Sequence, residues 1–365
     1  MTFILTFVIA FLFVLLLVPI IIHVARNHSW FDSTGGRKIH KGNIPRLGGV
    51  AITLGFVVAF PIAVLIVRSM YPTQMPPSWT FWLLFVIGYG FHLLGLTDDF
   101  KDLKGRIKFA IQFALAICVV LLGYYFRTIE IPVAPYRINL GWFGPVITVI
   151  WIVGISNAMN LIDGMDGLSG GIAFIGAITW AVLYLKLGDF IPALAVTAAA
   201  GATLGFLFYN YPPASIFMGD SGSLFLGYLF AVMPLMGSKG EAIETGLLPA
   251  ITICLIPIMD TFAAIIRRWR AHISFFTPDK FHLHHKLLNL GFTPRQILAI
   301  IYTLCIMLGG ATLTSVYVSP VLSFWLMIAD WIFVAAIFVL LHFLKERHVR
   351  LIKGLPPDEN TAQQG

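Results

Sequence analysis

The chain has 365 residues, of which 58% are hydrophobic and 11% are charged, whereas soluble globular domains carry about 25% charged residues. This composition excludes a soluble domain and indicates an integral membrane protein. The apolar runs are long and do not alternate with polar residues, which excludes a transmembrane β-barrel. The three cysteines lie inside apolar runs, which excludes a disulfide framework. The net charge of +7 fits a basic bias of cytoplasmic loops, so nucleic acid is not an expected partner.

Eleven apolar runs are predicted to be transmembrane helices. They cover roughly residues 3–24, 48–67, 80–97, 109–126, 145–159, 167–185, 190–208, 222–237, 247–266, 297–316 and 321–344. The sequence therefore predicts an all-α fold, a polytopic membrane helical bundle. We expect one integral-membrane domain over residues 1–345 and a cytoplasmic tail over 346–365. The first run is interpreted as a retained helix, because no small-residue cleavage site follows it.

The Lys and Arg residues predict the orientation of this bundle. Nineteen of the 24 fall in alternate loops and in the C-terminal tail. Since cytoplasmic loops carry the basic excess, we expect the N-terminus outside and the C-terminus in the cytoplasm. Eight aspartates then fall in or beside the cytoplasmic loops: Asp98, Asp99, Asp102, Asp163, Asp166, Asp220, Asp260 and Asp279.

The first polar cluster is the adjacent pair Asp98 and Asp99, followed by Lys101, at the end of the third apolar run. Two neighbouring carboxylates repel each other unless a divalent cation or a positive side chain neutralises them. A solvated helix end with interspersed lysines is the alternative interpretation. The pair is therefore a candidate for binding a cation or for proton transfer.

Polar residues also interrupt the apolar sequence between the fifth and sixth runs. They are Asn157, Asn160, Asp163 and Asp166, with Gly164 and Gly167 between them. The last three polar residues would lie near one face of a helix, and the glycines permit a tight backbone path near a phosphate. A simple interfacial turn with an aspartate cap is the less favoured alternative.

Between the seventh and eighth runs, Phe217 and Asp220 stand in a segment rich in glycine and serine. Asp220 is a candidate ligand for a hard cation, and Phe217 offers a ring on which a nucleobase could stack. Glycine and hydroxyl groups in such a segment can donate hydrogen bonds to phosphate. The alternative is that Asp220 or Ser221 only caps the eighth helix.

The longest cytoplasmic loop contains His282, His284 and His285. A histidine cluster suggests a transition metal, but no cysteine is near and Asp279 is the only carboxylate in the run. Binding of diphosphate charge beside Mg²⁺ is therefore favoured over a zinc site. The first cytoplasmic loop adds Lys41 and Arg46, which positive-inside topology alone would also explain. Oxygen ligands, cations and glycine loops on one face indicate phosphoryl transfer at the membrane surface.

In these five segments, from about Arg37 to about Gly291, the sequence resembles the polyprenyl-phosphate N-acetylhexosamine-1-phosphate transferases. The resemblance implies that a prenyl phosphate attacks the sugar-bearing phosphate of a UDP-sugar and that UMP leaves. It implies a Mg²⁺ cofactor, with Mn²⁺ as an alternative, and the partners UDP-sugar, undecaprenyl phosphate and the lipid bilayer. It also implies a bacterial cytoplasmic membrane enzyme with its active site on the cytoplasmic face; a homodimer is left open.

The resemblance assigns roles to individual residues. Metal ligation is implied for Asp220 and Asn160, and uracil stacking for Phe217. Substrate binding is implied for Lys41, Arg46, Lys101, Asn157 and Asn160. Catalytic roles are implied for Asp98, Asp99, Asp163, Asp166, His282, His284 and His285.

The sequence favours the GlcNAc-1-phosphate branch of that family, because Arg46 and Leu47 follow Pro45 and Leu283 interrupts the histidines. The phospho-MurNAc-pentapeptide branch typically has Pro-Thr-Met-Gly-Gly and three consecutive histidines. That enzyme of peptidoglycan synthesis remains the alternative within the family. A solute transporter is the alternative from another class, but only Asp330 lies clearly inside a predicted span and no internal repeat is evident. The product is expected to begin the synthesis of a cell-surface polysaccharide such as lipopolysaccharide, or of teichoic acid.

Overall fold

The computed structural model describes residues 1–31, 44–70, 78–130, 137–236, 247–272, 274 and 282–352. Within these ranges the chain forms thirteen α-helices, a short 3-10 turn at Met233–Leu235 and one antiparallel hairpin of two strands. The helices are α1 (Thr2–Asn27), α2 (Gly48–Met70), α3 (Trp79–Lys101), α4 (Gly105–Leu121), α5 (Phe143–Ile162), α6 (Leu168–Leu187), α7 (Phe190–Asn210), α8 (Gly219–Val232), α9 (Leu247–Ile253), α10 (Leu255–Arg270), α11 (Leu283–Asn289), α12 (Pro294–Thr314) and α13 (Pro320–Ile352). The strands are β1 (Thr128–Glu130) and β2 (Arg137–Asn139).

Eight of the described helices are long and apolar enough to cross a membrane, namely α1, α2, α3, α5, α6, α7, α12 and α13. Helices α9 and α10 add a ninth if they count as one span, although they meet at a bend of 75°. Helices α4 and α8 cover the fourth and eighth predicted spans with only 17 and 14 residues. The structure therefore agrees with a polytopic helical bundle, whereas the number of eleven spans and the orientation of the termini stay predictions.

Helix α8 lies at the centre of the bundle. Every residue from Ser221 to Val232 is buried, and the helix packs against α2, α3 and α5. A helix that is apolar on all sides lies either in lipid or inside a protein core, and its burial places α8 in the core. Its 14 residues extend about 21 Å, less than the roughly 30 Å of a hydrocarbon core. Protein, not lipid, therefore forms the immediate surroundings of α8.

Two glycines allow the neighbouring helices to approach the first turn of α8. Gly95 of α3 faces the backbone of Asp220 and Ser221, and Gly49 of α2 faces the backbone of Gly222. A Cβ atom at either glycine would collide with that backbone. Larger residues at these positions would push α8 away, so the close packing depends on the missing side chains.

The segments that precede α2 and α8 are joined by backbone hydrogen bonds. The amide of Phe217 donates to the carbonyl of Pro45 at 2.9 Å, and the amide of Gly48 donates to the carbonyl of Phe217 at 2.9 Å. The amide of Gly49 donates to the carbonyl of Met218 at 2.8 Å. These bonds hold the segment that precedes α2 against the N-terminus of the central helix.

Candidate active site

The acidic pair at the end of α3 meets the N-terminus of α8. Oδ1 of Asp99 accepts a hydrogen bond from the amide of Asp220 at 2.8 Å, and Oδ2 accepts one from the amide of Ser221 at 3.0 Å. The first amides of a helix lack intrahelical partners and carry partial positive charge, so a carboxylate is stabilised there. Asp99 thus uses both oxygens to hold the turn that carries Asp220.

Lys108 of α4 joins the other carboxylates of this cluster. Its Nζ atom lies 2.7 Å from Oδ2 of Asp98 and 2.8 Å from Oδ2 of Asp220. Oδ1 of Asp98 accepts a hydrogen bond from the amide of Leu103 at 2.7 Å. One ammonium group therefore balances two carboxylates from different helices. The sequence offered Lys101 as the cation beside this pair, but Lys101 ends α3 with an exposed side chain.

The loop between α5 and α6 carries Asp163 to the same end of the bundle. The hydroxyl group of Ser169 donates a hydrogen bond to Oδ1 of Asp163. Burial, with smaller contributions from the charges of Asp220 and Asp99, raises the pKa of Asp163 to about 7, against the lowering effect of the Ser169 hydrogen bond. The positive charge of Arg46 acts in the opposite direction, which places Arg46 close enough to influence this carboxyl group.

The two asparagines of α5 have different surroundings. Nδ2 of Asn160 donates to the hydroxyl oxygen of Ser223 on α8 at 2.9 Å, and its side chain hydrogen bonds with Asp220. Asn157 instead bonds with the amide of Gln112 on α4 and donates to the carbonyl of Val153 at 2.7 Å. The structure therefore brings Asn160 to the first turn of α8, while Asn157 joins α5 to α4.

Asp166 fastens the segment that leads to Phe217. Oδ2 of Asp166 accepts a hydrogen bond from the amide of Ala214 at 3.0 Å. Asn210, at the end of α7, accepts one from the amide of Gly167 at 2.8 Å and donates one to the carbonyl of Ile216 at 2.8 Å. Together these two side chains tie the loop before α8 to the loop after α5.

The three histidines lie at the start of α11 and close to the same loop. His284 is buried, and neither of its ring nitrogens has a hydrogen-bond partner among the described residues. A Cβ atom on Gly164 would lie 2.7 Å from Cε1 of His284, so the imidazole ring rests against the Asp163 loop. Burial, with a smaller contribution from the neighbouring His285, lowers the pKa of His284 to about 3. The centroids of these two rings are 4.2 Å apart.

His282 has a different partner. Its Nδ1 atom lies 2.8 Å from Oδ2 of Asp260 on α10, and both side chains are buried. The ring of His282 is nearly parallel to that of His284, at a centroid distance of 6.0 Å. Two predicted residues of the cytoplasmic loops, Lys41 and Asp279, lie outside the described residues.

In the described part of the chain, no three His, Cys, Asp or Glu side chains form a metal-binding group. The side chains at the first turn of α8 nevertheless suit a hard cation. Oxygen atoms of Asp98 and Asp220 already converge on one positively charged atom, and Asn160 hydrogen bonds with Asp220. Carboxylate and amide oxygens are the ligands that Mg²⁺ accepts in proteins. Asp220 and Asn160 carry donor atoms of these two types at this turn.

Comparison with known proteins identifies the family. Residues 81–238 match the model of glycosyl transferase family 4. The chain is 37% identical over 286 residues to the probable undecaprenyl-phosphate N-acetylglucosaminyl 1-phosphate transferase of Bacillus subtilis (strain 168), covering 78% of this chain and 77% of that one. This chain belongs to glycosyl transferase family 4.

This family 4 glycosyl transferase also matches two other relatives over most of their length. It is 34% identical over 309 residues to the decaprenyl-phosphate N-acetylglucosaminephosphotransferase of Mycobacterium tuberculosis (strain ATCC 25618 / H37Rv), covering 78% of this chain and 75% of that one. It is 30% identical over 331 residues to the undecaprenyl-phosphate alpha-N-acetylglucosaminyl 1-phosphate transferase of Escherichia coli (strain K12), covering 88% and 84%. The family resemblance inferred from the motifs is confirmed.

Three residues of the candidate active site were assigned no role from the sequence alone. Lys108 looked like one of the basic residues that set topology, and Asn210 stands between two tyrosines at the end of an apolar run. Asp260 was one of eight aspartates on the cytoplasmic face, but its partner His282 is 22 residues away. For Asp260, that grouping was the only signal in the sequence.

Proposed function

We propose that this protein transfers N-acetylglucosamine 1-phosphate from UDP-GlcNAc to undecaprenyl phosphate, giving undecaprenyl-diphosphate-GlcNAc and UMP. The names of its relatives support the transferred group and a polyprenyl-phosphate acceptor. The observation that carries the proposal is the meeting of α3, α4, α5 and α8 through Asp98, Lys108, Asn160 and Asp220. The same relatives favour GlcNAc over phospho-MurNAc-pentapeptide, and no observation favours a transporter.

In the proposed reaction, an oxygen of the prenyl phosphate forms a bond to the sugar-bearing phosphorus. The bond from this phosphorus to the bridging oxygen breaks, and UMP leaves with that oxygen. A phosphate monoester has a second pKa of about 6, so the acceptor is already largely ionised at neutral pH. The main obstacle is repulsion between the acceptor and the diphosphate, which positive charge in the site reduces.

We assign the metal site to Asp220 and Asn160, because their donor atoms fit a hard cation and lie together at the first turn of α8. When bound there, Mg²⁺ would neutralise negative charge on the diphosphate and on the departing UMP. Lys108 contributes a fixed positive charge beside the same turn. We expect Arg46, Lys41 and Lys101 to bind diphosphate charge from the cytoplasmic side, with the histidine group beside them as hydrogen-bonding partners of the UDP-sugar.

The roles of the acidic pair differ in this proposal. Asp98 pairs with Lys108 and is the candidate for positioning the prenyl phosphate and accepting its proton. Asp99 has both oxygens bonded to amides of α8, so we assign it the orientation of Asp220. Direct attack would invert the configuration of a chiral sugar-bearing phosphate. A covalent aspartyl intermediate would retain it, because that route has two displacements.

We assign the remaining predicted residues to the binding site of the UDP-sugar. We assign uracil stacking to Phe217, whose backbone is held by Pro45 and Gly48. Asp166 holds the segment that precedes Phe217. Asp163, which lies next to Ser169, faces the carboxylate cluster from the α5–α6 loop and belongs to its electrostatic balance. We place this site at the cytoplasmic face of a bacterial membrane, because the basic loops are expected there.

The proposal is tested with purified protein in detergent or lipid, undecaprenyl phosphate, Mg²⁺ and a panel of UDP-sugars. The panel contains UDP-GlcNAc, UDP-GalNAc and UDP-MurNAc-pentapeptide, and release of UMP is measured. We expect release with UDP-GlcNAc, dependence on the acceptor lipid, and loss of release in excess EDTA. The Asp220→Asn variant should lose activity, whereas Asp189→Asn, a buried aspartate at the start of α7, should not. Release only with another sugar, or full activity in EDTA, would contradict the corresponding part of the proposal.

A further inference from the structure

Asp260 makes two hydrogen bonds at the start of the histidine helix. Its Oδ2 atom lies 2.8 Å from Nδ1 of His282, and its Oδ1 atom accepts from the amide of Leu283 at 2.8 Å. Asp260 is 2% exposed and His282 is 6% exposed. A carboxylate this deeply buried needs partners for both oxygens. Here the partners are one side chain and one backbone group of the same turn.

The contact with Asp260 determines which nitrogen of His282 carries a proton. A carboxylate only accepts hydrogen bonds, so Nδ1 must be the donor, and in a neutral ring Nε2 is then the acceptor. Asp260 therefore leaves Nε2 as the ring nitrogen available to another group. Because Asp260 also binds the amide of Leu283, the ring and the start of α11 are held by the same carboxylate.

The contacts continue from His282 to the candidate active site. The ring of His282 lies parallel to that of His284, with an angle of 2° between their planes. His284 rests against Gly164, next to Asp163. His282 and His284 therefore lie between Asp260 and the α5–α6 loop.

We propose that Asp260 is a positioning residue, which fixes the Nδ1–H tautomer of His282 and so leaves its Nε2 atom to accept a hydrogen bond from an O–H or N–H group of the bound UDP-sugar. This proposal rests on the proposed function, since the group that donates to Nε2 belongs to a UDP-sugar. Asp260 acts through His282 and does not touch the substrate. A carboxylate that orients a histidine in this way typically affects function by about 10- to 100-fold when it is removed.

The decisive variant is Asp260→Asn, which preserves size and shape. Its amide oxygen can still accept from Leu283, but its NH₂ group would face Nδ1 of His282 and favour the Nε2–H tautomer. We expect kcat to fall about 10- to 100-fold with little change in the KM for the acceptor lipid. Asp189→Asn, at the buried start of α7, is the matched control and should retain wild-type kcat.

A double-mutant cycle separates positioning from general stabilisation. In a His282→Ala background, Asp260→Asn should change kcat less than about twofold, because a residue that acts through His282 has nothing left to orient. Equal losses in both backgrounds would overturn the proposal. Failure of the wild-type protein to release UMP would instead contradict the proposed function.

A spectroscopic measurement does not depend on activity. With ¹⁵N-labelled histidine, the signals missing from the His282→Ala protein identify the His282 nitrogens. In the wild-type protein we expect the proton on Nδ1, and in Asp260→Asn on Nε2. A wild-type His282 protonated only on Nε2 would refute the proposal even if the Asp260 variant failed to fold.

Discussion

Lys108 places one positive charge between two carboxylates that come from different helices. Lys108→Met should lower kcat about 10²- to 10³-fold, because a fixed charge near the transferred phosphate is lost and Asp98 and Asp220 then repel each other. Lys104→Met, which changes an exposed lysine just before the same helix, should retain activity. Steady-state UMP release measures both variants. Near-normal turnover of Lys108→Met would show that the charge is dispensable.

His284 links the stability of the protein to pH. Burial lowers its pKa to about 3 from 6.5, so the unfolded chain binds more protons than the folded one between these values. Stability from this residue is complete above about pH 6.5 and is lost as the pH falls toward 3. At pH 5 the loss amounts to about 2 kcal/mol.

The stability effect is measured as thermal unfolding of the wild-type protein and of His284→Leu at pH 7.5 and pH 5. The variant should lose less stability on acidification than the wild type does. The matched control is His28→Leu, which replaces an exposed histidine and should leave the acid sensitivity unchanged. Equal acid sensitivity of His284→Leu and the wild type would contradict this prediction.

At the scale of elements, the N-terminus of α8 depends on a carboxylate from α3. Asp99→Ala removes the acceptor for the amides of Asp220 and Ser221. Because Asp220 is the proposed metal ligand, we expect the Mg²⁺ concentration for half-maximal activity to rise about 10- to 100-fold, with a smaller change of kcat at saturating Mg²⁺. A Mg²⁺ titration of UMP release measures this. If kcat alone fell, Asp99 would have a direct role in the chemistry.

The contact between α11 and the α5–α6 loop can be tested with two glycines. Gly164→Ala would place a Cβ atom 2.7 Å from the ring of His284, so the ring or the loop must shift, and we expect kcat to fall at least about tenfold. Gly154→Ala in α5 meets no other atom within 4 Å and should behave like the wild type. The two variants are compared at equal protein yield. Full activity of both would contradict the contact between Gly164 and His284.

The positions of the helices were more predictable from the sequence than the contacts between their side chains. Apolar length alone located the helices, because a bilayer sets the span of each. The grouping of Asp98, Asn160 and Asp220 was also predictable, since the charge distribution placed their loops on one side of the membrane. The bend between α9 and α10 was not, because the apolar run continues through it. Partners such as Lys108 for Asp98 follow from packing of α4 on α3, and charge patterning does not encode that contact.

At the scale of the whole molecule, the number of helices that cross the bilayer determines on which sides the two termini lie. If α9 and α10 form one span, the helices that pass the length test number nine, and adding both α4 and α8 keeps the number odd. We therefore expect the two termini on opposite sides, with the C-terminus in the cytoplasm. Reporter fusions active only inside or only outside the membrane should report the C-terminus inside and the N-terminus outside. If the reporters placed both termini on the same side, the number of spans would have to be even.

The burial of α8 has a consequence for how the protein is made. Its partners α2, α3 and α5 precede it in the chain, so they enter the membrane before α8 leaves the ribosome. A segment of 14 residues is too short for stable independent insertion, and its final position has no lipid-facing side. The newly made α8 must therefore dock into a cleft between helices that are already inserted. The catalytic end of the enzyme is completed only at that step of biogenesis, when Asp220 reaches Asp99.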